Sequence, residues 1–352
     1  MRLGKAMIPG RTMGFAQSGA GVRAVVIVIL VLGNLRLLPG LGAGTLDFAS
    51  VAATSDYAPA VLPGQGLAQH DFLATGEAHA EQLSIVRGGR IVWSCTHPGR
   101  GEISDATLLP NGNILFAHQF GITEINPDQH VVWNYDAPAG TEIHTAQPSG
   151  TNRVCFIQNG SPAKFIAINK STGAIEHQFT LPAGNTNSVH RQFRRVRLTP
   201  AGTLLVAHLD AGRIVEYDWN GHALWSHDLA NCWSAEPLAN GHILAATSGT
   251  QIVREINRQH QTVWEWTPAA APEYRFSHTQ TAIRLPNGNT LINNWFAALP
   301  DSLASSHAPV QAIEVTPAKK IVWALRSWLP PSNLGPVTTI QLLAPLATMT
   351  HL

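Results

Sequence analysis

The sequence predicts an all-β fold in which six four-stranded sheets form a closed ring, and three features predict it. The first is a recurring strand–turn–strand unit, of which residues 109–118 and 285–291 are the clearest copies. The Asn-Gly pair in each copy supplies the positive φ angles of a tight hairpin turn. The second is another hairpin that ends in an apolar residue and Trp, as at Val92-Trp93. The third is the alternation of the two units at a period of roughly 40 to 50 residues, which is typical of the blades of a β-propeller.

Alignment of the turns gives five complete inner hairpins. Their first strands start in steps of 40, 50, 39 and 47 residues, at Ser104, His144, Arg194, Trp233 and Gln280. Six outer hairpins lie near residues 82–95, 121–135, 164–180, 213–227, 251–266 and 311–327. The remaining blade takes its second strand from residues 71–75 and its first from residues 336–343. The ring therefore closes with strands from both termini, which removes the exposed edges of an open array. We expect six blades, or seven if a loop contains a weak repeat.

A Trp recurs at the same place in the last strand of five blades. These residues are Trp93, Trp133, Trp225, Trp264 and Trp323. An indole at a repeated position contributes a large apolar contact between repeats. We therefore expect these five side chains to be buried between blades.

The composition excludes some classes of partner. Only 13% of the 352 residues are charged and the formal net charge is +1, so nucleic acid is not an expected partner. The three cysteines, Cys95, Cys155 and Cys232, lack metal-ligand spacing, and no disulfide among them follows from the sequence. The sheets must therefore hold the fold together by themselves.

The N-terminal region predicts export. Four basic residues precede the apolar run 24–33, which is shorter than the ~20 residues that cross a membrane. We expect residues 1–53 to be a signal peptide, or an uncleaved N-terminal anchor, plus linker. Residues 54–69 would be a linker, 70–345 the propeller and 346–352 a tail. The expected location is periplasmic or secreted, with membrane contact only through an uncleaved N-terminal segment, and the expected state is a monomer.

Polar residues concentrate at one level of the repeat, where the innermost strand begins and the second strand ends. In a propeller these points meet at one face, around the central channel. The first ring is Ser104, His144, Arg194, Trp233, Gln280 and Thr338, and the second is His118, Gln158, His208, Thr247, Asn294 and Thr75. Unlike residues at equivalent positions indicate a ring that fits an asymmetric ligand. The alternative is a wet channel whose polar side chains bind only water and backbone.

The most specific local signal is the segment 190–197, which has four Arg and one His in eight residues. Clustered cations hold carboxylate, sulfate or phosphate, and Arg does so bidentately. We expect Arg194 to face the channel. The alternative for Arg195 and Arg197 is a position between blades, paired with acidic residues such as Glu142 or Asp210. The ligand-binding candidates are Glu102, Ser104, His118, Glu142, Gln158, His190, Arg191, His208, Trp233, Gln280 and Asn294.

Three ring histidines, His118, His144 and His208, raise the question of a divalent metal. His190 and His278 are further candidate ligands, and Glu102 or Glu142 could complete the set. These residues are far apart in the sequence and show no local ligand spacing. A divalent metal is therefore an alternative here and not an expected cofactor.

Two resemblances follow from the repeats. Residues 168–175 and the Val-Trp strand endings resemble the repeat of quinoprotein-type (PQQ-like) propellers, in which the Trp docks neighbouring blades. The Leu-Pro-Asn-Gly-Asn hairpins resemble those of bacterial arylsulfotransferase propellers. The resemblance covers residues 70 to 345 and implies the propeller fold. Quinoprotein dehydrogenases carry an adjacent Cys-Cys pair beside the cofactor, which this sequence lacks, so a quinone is not expected.

These observations give two functional hypotheses. The first is an exported binding or scaffold protein that holds a small polar or anionic ligand, or a protein partner, on the channel face. The second is a non-redox enzyme at the same face, either an arylsulfotransferase-like enzyme or a uronate lyase. The arylsulfotransferase resemblance implies His144 as the nucleophile, with Arg194 and His278 assisting. Whether the protein is an enzyme stays open at this point.

Overall fold

The repeated hairpins form antiparallel sheets throughout the part of the chain that the structure describes. This structure is a computed structural model that describes residues 66–76, 81–97, 101–296, 309–328 and 331–343. Its strands in blades 1 to 3 are β1 (Phe72–Gly76), β2 (Gln82–Arg87), β3 (Arg90–Thr96), β4 (Ile103–Leu108), β5 (Ile114–His118), β6 (Gly121–Ile125), β7 (Val131–Asp136), β8 (Glu142–Ser149), β9 (Arg153–Asn159), β10 (Ala163–Asn169) and β11 (Ile175–Leu181).

The second half of the ring continues the same pattern. Its strands are β12 (Phe193–Leu198), β13 (Leu204–His208), β14 (Arg213–Tyr217), β15 (Ala223–Asp228), β16 (Cys232–Pro237), β17 (Ile243–Thr247), β18 (Val253–Ile256), β19 (Thr262–Trp266), β20 (His278–Arg284), β21 (Thr290–Trp295), β22 (Ala312–Val315), β23 (Ile321–Leu325) and β24 (Val337–Leu342). Three single 3₁₀ turns lie at Gly66–Ala68, Val189–Arg191 and Pro268–Ala270.

The strand order confirms the six-bladed propeller and its mode of closure. Five sheets contain four consecutive strands each, whereas blade 1 has the order β24-β1-β2-β3. Its innermost strand, β24, therefore comes from the C-terminal side and pairs antiparallel with β1, with Phe72 opposite Leu342. Each blade thus contributes one strand to the wall of the central channel.

The core consists of one apolar cluster at each of the six blade-to-blade contacts. Successive residues of a strand point to opposite faces of its sheet, so each strand packs on both neighbouring blades. In β13, Leu204 and Val206 belong to the cluster shared with blade 3, whereas Leu205 and Ala207 belong to the cluster shared with blade 5. Each blade is therefore held from both sides, which explains why inner strands read as almost continuous apolar runs.

The recurring Trp side chains connect neighbouring blades through their N–H groups as well as through their rings. Trp93 donates to the carbonyl of Pro127 at 2.8 Å, and Trp264 donates to that of Pro317 at 2.8 Å, in the outer turn of the next blade. Trp323 is fully buried and donates to the carbonyl of Gly66 at 2.8 Å. The other four recurring Trp residues are half-buried, so the expected full burial holds for Trp323 alone.

At the contact between blades 3 and 4, the indole comes from blade 4 and not from the last strand of blade 3. His177 stands where its neighbours have Trp, and the outer turn of blade 4 supplies Trp219 in return. The two ring centroids are 5.0 Å apart. The contact between blades is thus kept by a residue from the opposite side.

Several expectations fall on other parts of the chain. The predicted signal peptide or anchor (1–53), most of the linker (54–69) and the tail (346–352) lie outside the described residues. Among the helices that the structure describes, none is long and apolar enough to cross a membrane. Cys95, Cys155 and Cys232 are buried free thiols in three different blades.

Candidate functional site

A β-bulge at the start of every innermost strand places one extra residue at the mouth of the channel. In blade 4, Phe193 lies opposite His208 and Arg195 lies opposite Ala207, so Arg194 is the extra residue between them. A bulge turns the side chain of its extra residue away from the regular alternation. The corresponding residues in the other blades are Ser104, His144 (with Thr145), Trp233, Gln280 and Thr338. These are the residues of the first predicted ring.

Three of these residues form an ion-pair cluster with Glu102. The Glu102 Oε1 atom lies 2.5 Å from Arg194 Nη1, 2.8 Å from His144 Nδ1 and 3.0 Å from Ser104 Oγ. Burial by itself would raise the pKa of Glu102, but the hydrogen bond with His144 and the nearby positive charges hold it well below its usual range. Glu102 is therefore a carboxylate that neutralises Arg194.

Glu142 holds the other side of His144. Its Oε2 atom lies 3.0 Å from His144 Nε2 and 2.7 Å from His190 Nδ1, and its Oε1 atom accepts a hydrogen bond from Gln119 at 3.0 Å. Burial opposes ionisation of Glu142, but these hydrogen bonds lower its pKa below the ordinary value. Both ring nitrogens of His144, a side chain that is 1% exposed, thus face a carboxylate.

A metal ion is not the natural occupant of this cluster. Glu102, His144 and His190 bring one ligand atom each to within 4.8 Å of one another, which is a spacing that suits a divalent cation. However, Arg194 Nη1 already contacts both Glu102 and His144, the latter at 3.0 Å from Nδ1. The guanidinium therefore already supplies the positive charge that a metal ion would bring to these two side chains.

A cavity of about 360 Å³ opens above the cluster at the channel mouth. Its walls come from blades 4, 5 and 6 and from the segments just before the innermost strands of blades 2, 4 and 5: Glu102, His190, Arg191, Arg194, Leu209, Asn231, Trp233, Ser248, Gly249, His278, Gln280 and Trp295. The guanidinium carbon of Arg194 lies 4.3 Å from the centroid of the Trp233 ring, so this cation covers one indole face. The cavity therefore combines two indoles, amides, a hydroxyl group and charges in one small space.

Seven of the predicted site residues reach this cavity. They are Glu102, His190, Arg191, Arg194, Trp233, His278 and Gln280. His278 is half-buried and its Nδ1 atom lies 2.7 Å from Ser277 Oγ. Partial burial lowers the pKa of His278, so its imidazole is neutral near pH 7.

Arg191 differs from the other arginines of its segment. It is exposed, lies on the cavity wall and forms no ion pair with any residue that the structure describes. The 3₁₀ turn Val189–Arg191 that carries it is anchored by Asn159, whose Nδ2 donates to the Val189 carbonyl at 3.0 Å. Gln192 anchors it on the other side, since its fully buried amide accepts from Gly160 N at 2.7 Å and donates to Gly160 O at 3.0 Å. The backbone that holds Arg191 is thus fixed.

The second predicted ring lies inside the blades and does not line the cavity. His118 bonds Thr123 Oγ1 at 3.0 Å, Gln158 accepts from Tyr135 at 3.0 Å, and Asn294 donates to the Val310 carbonyl at 2.7 Å. His208 bonds the hydroxyl of Tyr217 at 3.0 Å, and burial lowers its pKa to about 3. The reason is the two-residue period of a strand, which turns adjacent side chains to opposite sides.

The residues that sequence reasoning missed are those that follow the second ring. Leu209, Ser248 and Trp295 come directly after His208, Thr247 and Asn294, and all three line the cavity. Asn231 and Gly249 complete the lining beside them. A one-residue shift of the second ring would have found the three, and strand alternation was the signal for it.

Arg195 and Arg197 point deeper into the channel. Arg195 pairs with Asp105 and donates to Ser104 O at 2.6 Å, while Arg197 lies 3.0 Å from both Asp105 Oδ2 and Glu236 Oε1. Burial opposes the charge of Asp105, but the two arginines lower its pKa to about 2. The expected pairing with acidic residues is therefore present, although it lies across the channel and involves neither Glu142 nor Asp210.

The comparisons with known proteins show the fold. No protein-family model matches the chain, and no curated protein matches it. A solved structure of a protein of unknown function from Bacteroides caccae is 24% identical, with a TM-score of 0.68 over 77% of this chain and 98% of that chain. A streptogramin B lyase structure is 12% identical, with a TM-score of 0.50 over 72% of this chain and 82% of that chain. The structure of a protein from Lactobacillus plantarum is 12% identical, with a TM-score of 0.50 over 79% of this chain and 87% of that chain.

Proposed function

We propose that this protein binds a small anionic ligand that carries a ring or hydroxyl groups, in the cavity at the channel mouth, and that it does so outside the cytoplasm. The observation that carries the proposal is Arg191, an exposed cation on the cavity wall without an ion-pair partner among the described residues. An unpaired Arg on a concave surface is a bidentate site for carboxylate or sulfate.

The charges of the wall favour an anion of low charge. Arg191 and Arg194 are cations and Glu102 is the carboxylate of the lining, which leaves one positive charge when the histidines are neutral. Arg194 is already satisfied by Glu102 and by the Trp233 ring. Arg191 is therefore the cation of this lining that is available to pair with an anionic ligand.

The remaining lining favours a ring with polar substituents. Trp233 and Trp295 supply apolar surface, and Asn231, Gln280 and Ser248 supply donors and acceptors beside them. At about 360 Å³ the cavity lies near the lower end of the range for ligand pockets, about 300–1,000 Å³. Acidic sugars and aryl sulfates or carboxylates have this combination of size and chemistry.

A lyase reaction is the second candidate, because His278 lines the same cavity as Arg191. In such a β-elimination a neutral imidazole removes the proton from the carbon next to the carboxylate, a C=C bond forms, and the glycosidic oxygen leaves the adjacent carbon and takes up a proton from solvent. An Arg that binds the carboxylate stabilises the negative charge that develops on it. Sulfuryl transfer through His144 is less favoured, because both of its nitrogens face carboxylates and its side chain is buried beneath the cavity. Arg194 then serves to hold Glu102 and Trp233.

The experiment is a titration of galacturonic acid and 4-nitrophenyl sulfate, with galactose and 4-nitroanisole as the neutral counterparts, followed by calorimetry. Arg191→Gln should weaken binding of the anionic probes by about 10- to 100-fold, because a hydrogen bond to a charged group contributes about 1.5–3 kcal/mol. Arg90→Gln is the matched control, since Arg90 is an exposed Arg on the outermost strand of blade 1.

Equal affinity of wild type and Arg191→Gln for an anionic probe would overturn the role of Arg191. If none of the probes binds wild type, the small-ligand proposal fails, and a protein that docks on the propeller face becomes the hypothesis to pursue by affinity capture. Formation of an unsaturated product from a uronate oligomer, lost in His278→Gln, would establish the lyase alternative.

A further inference from the structure

We infer that the ligand site continues from the channel mouth into a second cavity on the top of blade 4, and that the ligand is an acidic oligosaccharide of at least two units. This inference rests on the proposed function and adds the size and class of the ligand. It depends on how the two cavities join, on how their chemistry differs and on where the unpaired cation lies.

The second cavity has about 310 Å³ and meets the first along a common wall. Arg191, Leu209 and Asn231 line both cavities. Because the same three side chains bound both spaces, a ligand in the channel mouth that grows past Arg191 enters the second cavity. The two cavities therefore lie side by side, with Arg191 between them.

The chemistry of the second cavity is that of a hydroxyl-binding site. Apart from the three shared residues, its lining consists of the polar residues Asn185, Ser188 and Asp210 and the small residues Ala211, Gly212 and Ala230. None of these is aromatic, in contrast to the two indoles at the mouth. The small residues leave room, and the amide, hydroxyl and carboxylate groups match the hydroxyls of a sugar.

Asp210 determines which part of the ligand can occupy the second cavity. Its Oδ2 atom accepts the backbone N–H of Asn185 at 2.8 Å, which ties the loop before β12 to blade 4 and keeps the carboxylate at the cavity. A second anionic group in this cavity would lie close to that carboxylate and be repelled. The ligand's acid group therefore belongs at Arg191, where the cavities meet, and its neutral hydroxyls belong beside Asp210. An acidic peptide lacks this pattern of hydroxyl groups.

The test compares galacturonic acid with a dimer in which galacturonic acid is linked to one neutral galactose unit, on wild type and on a variant in which the second cavity is filled. Ala230 is exposed and lines the second cavity but not the mouth, so Ala230→Trp should block the cavity without touching the first unit. We expect wild type to bind the dimer at least about tenfold more tightly than the monomer. In Ala230→Trp the dimer should fall to the affinity of the monomer, and the affinity of the monomer should not change. Ser188→Phe, on the opposite wall of the same cavity, should give the same result and guards against a folding defect in the first variant.

The failure of this inference differs from failure of the proposed function. If the monomer binds through Arg191 but the dimer binds no more tightly, or if both blocked variants retain the preference for the dimer, the second cavity is not a subsite. If neither sugar binds wild type but 4-nitrophenyl sulfate does, this inference fails and the proposed function stands, whereas both fail if no probe binds. Arg191→Gln should weaken the monomer and the dimer alike, which places the cation at the junction.

Discussion

Arg194 and Arg195 are neighbours on one strand, yet they belong to two layers of the channel with different roles. Arg194 lies at the mouth, where Glu102 neutralises it and the cavity opens above it. Arg195 lies one layer deeper, 1% exposed, against Asp105 and the hydroxyl of Thr339. The bulge between Phe193 and Arg195 separates the two directions. Depth in the channel, more than residue type, decides what each arginine does.

In the deep layer of the channel each charged side chain pairs with another of the same layer, whereas the mouth has a surplus positive charge. Asp105, Arg195, Arg197 and Glu236 pair among themselves across the channel. Asp105 and Arg195 are almost fully buried, whereas Arg197 and Glu236 are half-buried at the edge of this layer. At the mouth, Arg191 remains without a counter-ion among the described residues. A buried and balanced layer serves the fold, whereas a layer with a surplus charge at an opening serves a ligand.

The largest effect should come from breaking the deep layer. Arg195→Met leaves Asp105 buried with Arg197 as its remaining cation, and removal of one partner from a buried pair costs about 3–5 kcal/mol. Urea unfolding followed by the fluorescence of the Trp residues measures it. Arg194→Met at the mouth should cost about 2 kcal/mol or less, because Glu102 is partly exposed and keeps its contact with His144.

The order of these two losses tests the comparison directly. A larger loss for Arg194→Met than for Arg195→Met would contradict the division into a structural and a ligand layer. The double variant Asp105→Asn, Arg195→Met should recover part of the loss, because it removes the uncompensated charge.

The second effect is the loss of stability in acid. The pKa of Asp105 is about 2 in the folded protein, below its ordinary value of 3.8. A carboxyl with a depressed pKa stabilises the fold above the unfolded pKa and loses that contribution as the pH falls through the folded pKa. The contribution of Asp105 to the free energy of unfolding should therefore fall by about 2 kcal/mol as the pH decreases from about 4 to about 2.

Other groups titrate in acid, so a variant must isolate Asp105. Glu102 and Glu142 have lowered pKa values and lose stability in the same direction. His208, with a folded pKa of about 3, takes up its proton more readily when unfolded, which lowers stability from about pH 6.5 downwards. Unfolding free energies of wild type and Asp105→Asn, measured from pH 5 to pH 2, should converge by about 2 kcal/mol. Parallel curves would show that Asp105 is not held ionised by the arginines.

The fold could be predicted from the sequence because its signals are local and repeat. The Asn-Gly turns and the strand endings at Trp93 and Trp264 mark each blade, and hydrophobic strands between them leave few other folds. Even the closure by residues 71–75 and 336–343 followed from counting hairpins. Repetition turns weak local preferences into a strong prediction.

The site could be predicted only in part because bulges carry no clear sequence signal. The alignment found Arg194 and its equivalents, but it did not show that each of them is the extra residue of a bulge. It also placed His208 and Asn294 at the channel, although strand alternation turns Leu209 and Trp295 there instead. The resemblance implied His144 as a nucleophile, without showing that both of its ring nitrogens face carboxylates. Those carboxylates belong to residues 102 and 142, whose side-chain directions depend on packing. The joined cavities depend on loops, which a repeat does not specify.

The smallest loss of stability should come from Glu102→Gln at the mouth. The same variant should bind an anionic ligand more tightly than wild type. The amide keeps the shape of the side chain, and Arg194 retains His144 and the Trp233 ring, so the loss should be about 1 kcal/mol. The variant also raises the net charge of the cavity lining by one, so galacturonic acid should bind about 3- to 10-fold more tightly at low salt. The gain should shrink at high salt because ions screen it. Asp128→Asn, at an exposed turn of blade 2, is the control of equal charge change. Weaker binding to Glu102→Gln than to this control would mean that Glu102 contacts the ligand itself and that the mouth, like the deep layer, uses its charges in pairs.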